Sequence, residues 1–258
     1  MTKTSPAPTN TSVENAFAVL GLFSTATDAV ALSDIARMLD IPLSTAHRVV
    51  TTLCAAEFLV QQYAGGPYTP GIRVQELLNA LYNRYPIRRR AATPLRALAD
   101  GSGQGAVLYV RFGSHCLRIA GAQDRKQIHR PLLIGEALPL IDSPYGQVIL
   151  AHQPSPPAQL QIPHRSDHLS VVVGALRSVT FPLLDRGDRA FAAVAVEGST
   201  LEFSEPSARK IAQWGEIVSE LQAQCRDNPD WTVNPFDGVA TGRLRLPEDH
   251  RPEFGGSA

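Results

Sequence analysis

The sequence lacks an excess of charge of either sign, a long apolar run and a signal-like start. Its 24 basic side chains balance its 24 acidic ones. This balance excludes a general nucleic-acid coat protein, which binds phosphates through a large positive charge. No segment approaches the roughly 18 consecutive apolar residues that span a bilayer, and the first residues lack the apolar core of a signal peptide. With 44% apolar and 19% charged residues, we expect a cytoplasmic globular protein without membrane partners.

The sequence also lacks a recognisable catalytic or metal-binding constellation. Its three cysteines, Cys54, Cys116 and Cys225, have no spacing typical of a metal site or a redox motif. His164 and His168 stand four residues apart, but in a proline-rich segment without a further ligand. There is no nucleophile elbow, no P-loop and no helix with paired carboxylates. We therefore predict no metal, no cofactor and no enzymatic activity.

What the sequence contains is a helical hairpin over residues 32–53. Ser33 is expected to cap the first helix, because its hydroxyl can accept a hydrogen bond from an unpaired backbone N–H. Pro42 suits the first turn of the second helix. In that helix apolar residues repeat at i, i+3, i+4 and i+7, which predicts one buried stripe. The stripe consists of Ala46, Val49, Val50 and Leu53.

The opposite face of the second helix carries short hydroxyls, a histidine and one arginine. These groups can donate to phosphates and to base edges in a major groove. A two-stranded wing with a Gly65-Gly66 turn is predicted over residues 58–69, so the hairpin is typical of a winged helix-turn-helix. The predicted DNA contacts are Ser33, Ser44, Thr45, His47, Arg48, Thr51 and Thr52.

One copy of this domain has little electrostatic attraction for DNA. Residues 1–85 contain five basic and six acidic side chains. Affinity must then come from placed contacts and from doubling of the site. We expect a homodimer or a dimer of dimers on double-stranded operator DNA, with the apolar helix predicted near residues 72–84 available to pair with a second copy.

Residues 12–16, 32–36 and 42–48, together with the Gly65-Gly66 turn, resemble the IclR family of bacterial transcription regulators. Leu43 stands where the family usually has lysine. The resemblance extends to about Gln224 and implies an α+β fold with a C-terminal mixed α/β (GAF-like) effector-binding domain, shortened here in residues 151–170. The predicted organisation is a disordered start (1–11), a winged helix-turn-helix (12–70), a connector helix (71–86), an effector-binding and oligomerisation domain (87–225) and a disordered tail (226–258).

Within the second half, the sequence predicts a strand hairpin near residues 106–120, a possible strand at 128–134, a helix with Ser143 as its cap, and two strands at 176–184 and 190–197. A last helix at 206–224 is introduced by Ser204. An effector is expected over the N-terminus of the Ser143 helix, where free N–H groups favour a small organic acid or a similarly polar metabolite. Asp142 and Glu197 put negative charge nearby, so an amine, a neutral ligand or an unliganded protein stays open. The predicted effector contacts are Ser143, Tyr145, Arg177, Ser178 and Glu197.

Two functions are compatible with these patterns. The first is a transcription regulator whose operator binding is modulated by a small-molecule effector. The second is a small-molecule-binding or protein-interaction module whose helix-turn-helix mediates oligomer contacts. A protein-contact helix would expose apolar side chains, whereas this one is expected to expose hydroxyls and arginine. The sequence therefore favours the regulator.

Overall fold

The computed structural model describes residues 10–23, 29–83, 85–124, 132–160 and 162–227. They form two compact units, which meet in the sequence between Leu81 and Tyr82. Helix α4 (Ile72–Asn83) contains this boundary. No helix in the described ranges is both long and apolar enough to cross a membrane.

The first unit is a winged helix-turn-helix built around one small core. The elements are α1 (Thr11–Leu22), α2 (Leu32–Met38), α3 (Leu43–Ala55), β1 (Leu59–Gln61) and β2 (Tyr68–Pro70). Strands β1 and β2 pair in antiparallel orientation, and Val30 adds a bridge to Tyr68. The predicted apolar stripe of the second hairpin helix, α3, is confirmed, because all four of its residues are buried.

The predicted cap of α2 is wrong by two positions. Ala31, not Ser33, precedes the helix in an extended conformation, and its carbonyl accepts from the N–H groups of Asp34 and Ile35 at 3.1 and 3.0 Å. Ser33 therefore lies inside the first turn with its side chain exposed. Pro42 is the residue before α3 rather than part of its first turn.

The disorder expected up to residue 11 is also corrected. Asn10 caps α1, and its side-chain oxygen accepts from the N–H of Ser12 at 3.1 Å. Residues 1–9 and the predicted exit loop at 24–28 lie outside the described residues.

The second unit is a six-stranded antiparallel sheet with helices on both faces. The elements are α5 (Ile87–Arg90), α6 (Ala92–Ser102), β3 (Gly105–Phe112), β4 (His115–Gln123), β5 (Ala137–Pro139), α7 (Pro144–Ala151), β6 (Leu169–Val173), β7 (Leu176–Leu184), β8 (Ala190–Ser199) and α8 (Ala208–Asp227). The strand order is β5-β4-β3-β8-β7-β6. Helix α7 packs on β7 and β8, while α6 packs on β3 and β4 and α8 on β7.

Several boundaries in this unit differ from expectation. The hairpin β3–β4, helix α7 and strands β7 and β8 are confirmed. The possible strand at 128–134 is not seen where it is described, at 132–134. The strand that pairs with β4 on the side away from β3 is β5. Strand β6 was not predicted. Ser207, not Ser204, precedes α8, and its hydroxyl accepts from the N–H of Lys210 at 3.4 Å. Helix α8 continues through Asp227, two residues into the expected tail, and residues 228–258 lie outside the described residues.

Candidate functional sites

The first candidate site is the outer face of α3, opposite the buried stripe. Five of its six polar side chains are exposed, and Thr45 is half-buried. Within the described ranges, neither His47 nor Arg48 has a side-chain hydrogen bond or an ion pair. The guanidinium of Arg48 is thus available to an outside acceptor. We call this surface the α3 outer face; it consists of Ser44, Thr45, His47, Arg48, Thr51 and Thr52.

Two hydroxyls of this face are already engaged within the helix. Thr51 Oγ1 donates to the carbonyl of His47 at 2.8 Å, and Thr52 Oγ1 donates to that of Arg48 at 3.0 Å. This back-bonding is common for threonine inside helices. It leaves the oxygen and the methyl group, rather than the hydroxyl proton, for a partner. The strongest unengaged donor on the face is therefore Arg48.

The wing adds an exposed aromatic side chain that the sequence reasoning missed. Tyr63 lies between β1 and β2 and is 66% exposed. Gly65 has a φ of 76°, which favours glycine. A Cβ on Gly66 would lie 2.7 Å from the Tyr63 ring, so this glycine lets the ring lie against the turn. An aromatic residue in a predicted wing loop was the available signal.

The second candidate site lies between α7 and the sheet. A β-bulge in the β3–β4 pair displaces the register, so that Leu108 lies opposite Ala120 while Tyr109 lies opposite Arg118. Bulges re-aim side chains, and this one brings Arg118 opposite Tyr109. Arg88 supports the bulge, because its Nε donates to the carbonyl of Ile119 at 3.0 Å.

Arg118 is the centre of a buried polar network. Its Nε donates to Tyr109 Oη at 2.9 Å, and its Nη2 lies 2.9 Å from both Glu197 Oε1 and Glu136 Oε2. Tyr145 of α7 donates its hydroxyl to Glu197 Oε2. The Tyr109 and Tyr145 rings are stacked with centroids 4.0 Å apart. All of these side chains are buried except Glu136, which is one-third exposed. We call Tyr109, Arg118, Glu136, Tyr145 and Glu197 the α7 cluster.

The protonation of the α7 cluster follows from its burial. Burial raises the pKa of Tyr145, and the Glu197 carboxylate raises it further. The pKa of Tyr109 is raised for the same two reasons, in the same order. Burial by itself lowers the pKa of Arg118, but the neighbouring Glu197, Tyr109 and Glu136 outweigh it and leave that pKa raised. At neutral pH both phenols keep their protons and Arg118 keeps its charge, so all three are hydrogen-bond donors.

The predicted effector contacts are only partly brought together. Tyr145 and Glu197 are bonded to each other, and Ser178 lies opposite Glu197 in the β7–β8 register. Ser143 is the predicted cap of α7: its Oγ accepts from the N–H of Gly146 at 3.0 Å and lies 3.2 Å from the sulfur of Cys116.

Arg177 does not join this group. Its Nε donates to the carbonyl of Phe203 at 3.0 Å, and the ring of Phe203 packs near Trp214 of α8. Successive strand residues point to opposite faces, so Arg177 and Ser178 face different sides of the sheet. The structure thus places Arg177 apart from the α7 cluster, and its contact with an effector stays a prediction.

Tyr109, Arg118 and Glu136 were not predicted from the sequence. An arginine in a strand expected to be buried was a signal, because a buried charge needs a partner. For metals, the described residues contain no group of three His, Cys, Asp or Glu side chains that could hold an ion. His164 and His168 are exposed.

The known proteins to which this chain is similar are transcription regulators. Residues 12–62 match the IclR helix-turn-helix domain. The glycerol operon regulatory protein of Streptomyces griseus is 32% identical over 146 residues, which is 55% of this chain and 56% of that protein. The chain thus spans little more than half the length of this curated relative. The protein of the same name from Streptomyces coelicolor is 25% identical over 84% of this chain and 92% of its own length.

Among solved structures, an IclR homologue from Microbacterium hydrocarbonoxydans complexed with 4-hydroxybenzoate superposes with a TM-score of 0.67. It is 19% identical, and the match covers 85% of this chain and 98% of that one. This likeness concerns the fold, which is a helix-turn-helix domain followed by an α/β domain.

Proposed function

We propose that this chain is a bacterial transcription regulator of the IclR family, as its helix-turn-helix domain indicates. It binds double-stranded operator DNA and is modulated by a small-molecule effector in its α/β domain. The observation that carries the proposal is the α3 outer face, where short polar side chains and an arginine that no other described residue pairs with lie opposite a buried stripe. Such a surface suits the major groove. The proposal places the protein in the cytoplasm and assigns it no catalysis.

Arg48 is the residue we propose for direct base reading. An arginine can bond both acceptors of a guanine edge, and Arg48 has no competing partner in the described ranges. Ser44, Thr45 and His47 would accompany it in the groove. Ser33, exposed in the first turn of α2, and Tyr63 of the wing would contact the DNA backbone.

A second copy of the chain completes the proposed operator reader. Ile72 and Leu77 of α4 are 59% and 60% exposed. Apolar side chains left exposed in this way suit a partner helix. A homodimer, or a dimer of dimers, would double a weakly charged DNA contact on a pseudo-palindrome. A monomeric mass in solution, together with full-affinity binding to a single half-site, would refute this assembly.

We propose a small organic acid as the effector, held beside α7 by the α7 cluster with Ser143 and Ser178. The three buried donors of the cluster suit a carboxylate, and a fold relative has been crystallised with 4-hydroxybenzoate. Asp142 and the two carboxylates of the cluster make an amine the main competing class.

Footprinting of the bound protein on genomic DNA is the test of the main proposal. We expect a small set of pseudo-palindromic sites, and a synthetic duplex of that sequence should bind the purified chain more tightly than a duplex of scrambled sequence does. Binding that is uniform across sequences would refute a sequence-specific regulator. The alternative, a protein-interaction module, would give no footprint at all.

A further inference from the structure

The carboxylate of Glu197 is held as a bound organic acid would be held. One oxygen accepts from Arg118 Nη2 at 2.9 Å, and the other accepts from the hydroxyl of Tyr145. Charge-assisted bonds to both oxygens are the usual means of binding a carboxylate ligand. Glu197 is 6% exposed. The donors that would recognise an acidic effector are therefore already occupied by a side chain of the protein.

A displaced Glu197 has other polar groups within reach. Ser178 lies directly opposite it on β7, and Thr180, two residues further, lies on the same face of that strand. The Thr180 hydroxyl is buried, and it has no hydrogen-bond partner in the described part of the chain. Diagonal neighbours in a sheet are within reach of a long side chain. The sheet thus offers hydroxyls to which the carboxylate could move.

Exchange of one carboxylate for another also preserves the charge around Arg118. Removing a partner from a buried ion pair is strongly destabilising, because it leaves an uncompensated buried charge. An incoming acid replaces that partner, whereas a neutral ligand or an amine does not.

We propose that Glu197 is a tethered carboxylate that competes with an acidic effector for Arg118 and Tyr145. The inference rests on the proposed effector role of the α7 face. In the closed state Glu197 holds both donors. In the liganded state the acid bonds them and Glu197 turns toward Ser178 and Thr180. A tethered group acts at a high effective concentration, so Glu197 sets the concentration of acid at which the protein responds.

The test compares carboxylate binding by wild type, Glu197→Ala and Glu197→Gln, each as the full chain. Thermal stability is measured at pH 7 against acetate, propionate and benzoate, with acetamide as the neutral probe and constant ionic strength. We expect Glu197→Ala to be less stable alone and to bind the acids at least about tenfold more tightly than wild type, which corresponds to losing one hydrogen-bonded competitor. Glu197→Gln, which keeps the shape but not the charge, should fall between them. If Glu197→Ala does not fold, the comparison of wild type with Glu197→Gln decides.

Two controls make the result specific. Glu205→Gln removes the same charge from a side chain that is 81% exposed, and it should bind acids as wild type does. Adding Arg118→Lys to Glu197→Ala should abolish the gain, because the fork that receives the carboxylate is lost.

Each other outcome overturns the inference. Equal acid affinity in wild type and Glu197→Ala, a gain produced equally by acetamide, or a gain that survives Arg118→Lys would show that Glu197 is not a competitor. Operator binding is measured separately by gel shift. Wild type that releases the operator at the same acid concentration as Glu197→Ala would retain the proposed function while refuting the inference. If no variant binds the acids, both the inference and the effector assignment fail, while operator binding stands.

Discussion

The α3 outer face and the α7 cluster are both polar, but they differ in the exposure and the hydrogen bonding of their arginines. On the α3 outer face, Arg48 is exposed and without a partner in the described ranges. In the α7 cluster, Arg118 is 7% exposed and bonds Tyr109, Glu136 and Glu197. One arginine is available to something outside the molecule, and the other is held by its own chain.

The difference determines what each arginine contributes to the free energy of folding. An exposed group without contacts can be removed at little cost to stability, so its loss reports on binding to an outside partner rather than on folding. A buried charged group must be paired, and removing one partner exposes the full cost of its desolvation. Mutations should therefore separate the two regions: those on α3 change binding and leave the fold intact, while those beside α7 change stability first.

The largest effect is expected for Arg48→Ala on operator affinity. Loss of a bidentate guanine contact costs about 1–3 kcal/mol per half-site, and a symmetric dimer loses it twice, or about 2–6 kcal/mol. The melting temperature should not change, because the Arg48 side chain is exposed and its removal leaves no cavity. Gel shift on the footprinted duplex measures the affinity, and circular dichroism measures the fold.

Arg73→Ala is the matched control for loss of one positive charge. Arg73 is bonded to Glu76 at 2.7 Å and lies 3.5 Å from Glu57. The Arg73→Ala substitution should weaken operator binding far less than Arg48→Ala does. An unchanged footprint in Arg48→Ala would show that α3 is not the reading helix.

The second-largest effect is expected for Gly146→Ala on stability, which tests the buried region beside α7. A Cβ at Gly146 would lie 2.2 Å from the carbonyl oxygen of Leu140, so α7 and the turn at Leu140 would have to move apart. We expect a loss of about 2–3 kcal/mol in the free energy of unfolding, as for overpacked cores. Urea denaturation followed by fluorescence measures it.

Gly101→Ala is the control, because a Cβ there meets nothing within 4 Å and the residue is helical. That variant should be slightly more stable than wild type. Equal destabilisation by both substitutions would refute the close approach of α7 to Leu140.

The same comparison explains how far the sequence alone could reach. The buried stripe of α3 and the Ser143 cap of α7 depend on local spacing, and both were predicted. Arg118 was missed because its direction depends on a bulge, which is a property of two paired strands and not of either one. Strand β6 was missed because its Val171-Val172-Val173 run is continuously apolar and so lacks the alternation of apolar and polar residues that predicts a half-buried strand. The misplaced cap at Ser33 shows the limit of local spacing itself, since Ile35 and Ala36 share one face of α2 whether the helix starts at Leu32 or at Asp34.

A smaller effect is expected for Tyr145→Phe, which keeps the stacked ring but removes the donor to Glu197. A buried acceptor that loses one of its bonds costs about 1–2 kcal/mol.

The Tyr145→Phe variant should also respond differently to alkaline pH. The pKa of Tyr145 is raised in the folded protein, so above pH of about 10 the unfolded chain releases this proton first and wild-type stability falls as pH rises. The contribution is fully present below that pH. The difference in urea midpoint between wild type and Tyr145→Phe should be smaller at pH 11 than at pH 8. An equal difference at both pH values would contradict this account.

The smallest effect is expected for Thr51→Val and Thr52→Val on the α3 outer face. Each hydroxyl proton is already donated to a carbonyl of the same helix, so the substitution removes only an acceptor oxygen and keeps the methyl groups. Operator affinity should fall by no more than about 0.5–1 kcal/mol per half-site, the net worth of one neutral hydrogen bond. Valine should be tolerated in the helix, because both residues are β-branched. If gel shift shows a loss as large as that of Arg48→Ala, these hydroxyls must leave their helix carbonyls and donate to DNA. A hydrogen bond within the free helix would then not predict which side chains of the α3 outer face read the operator.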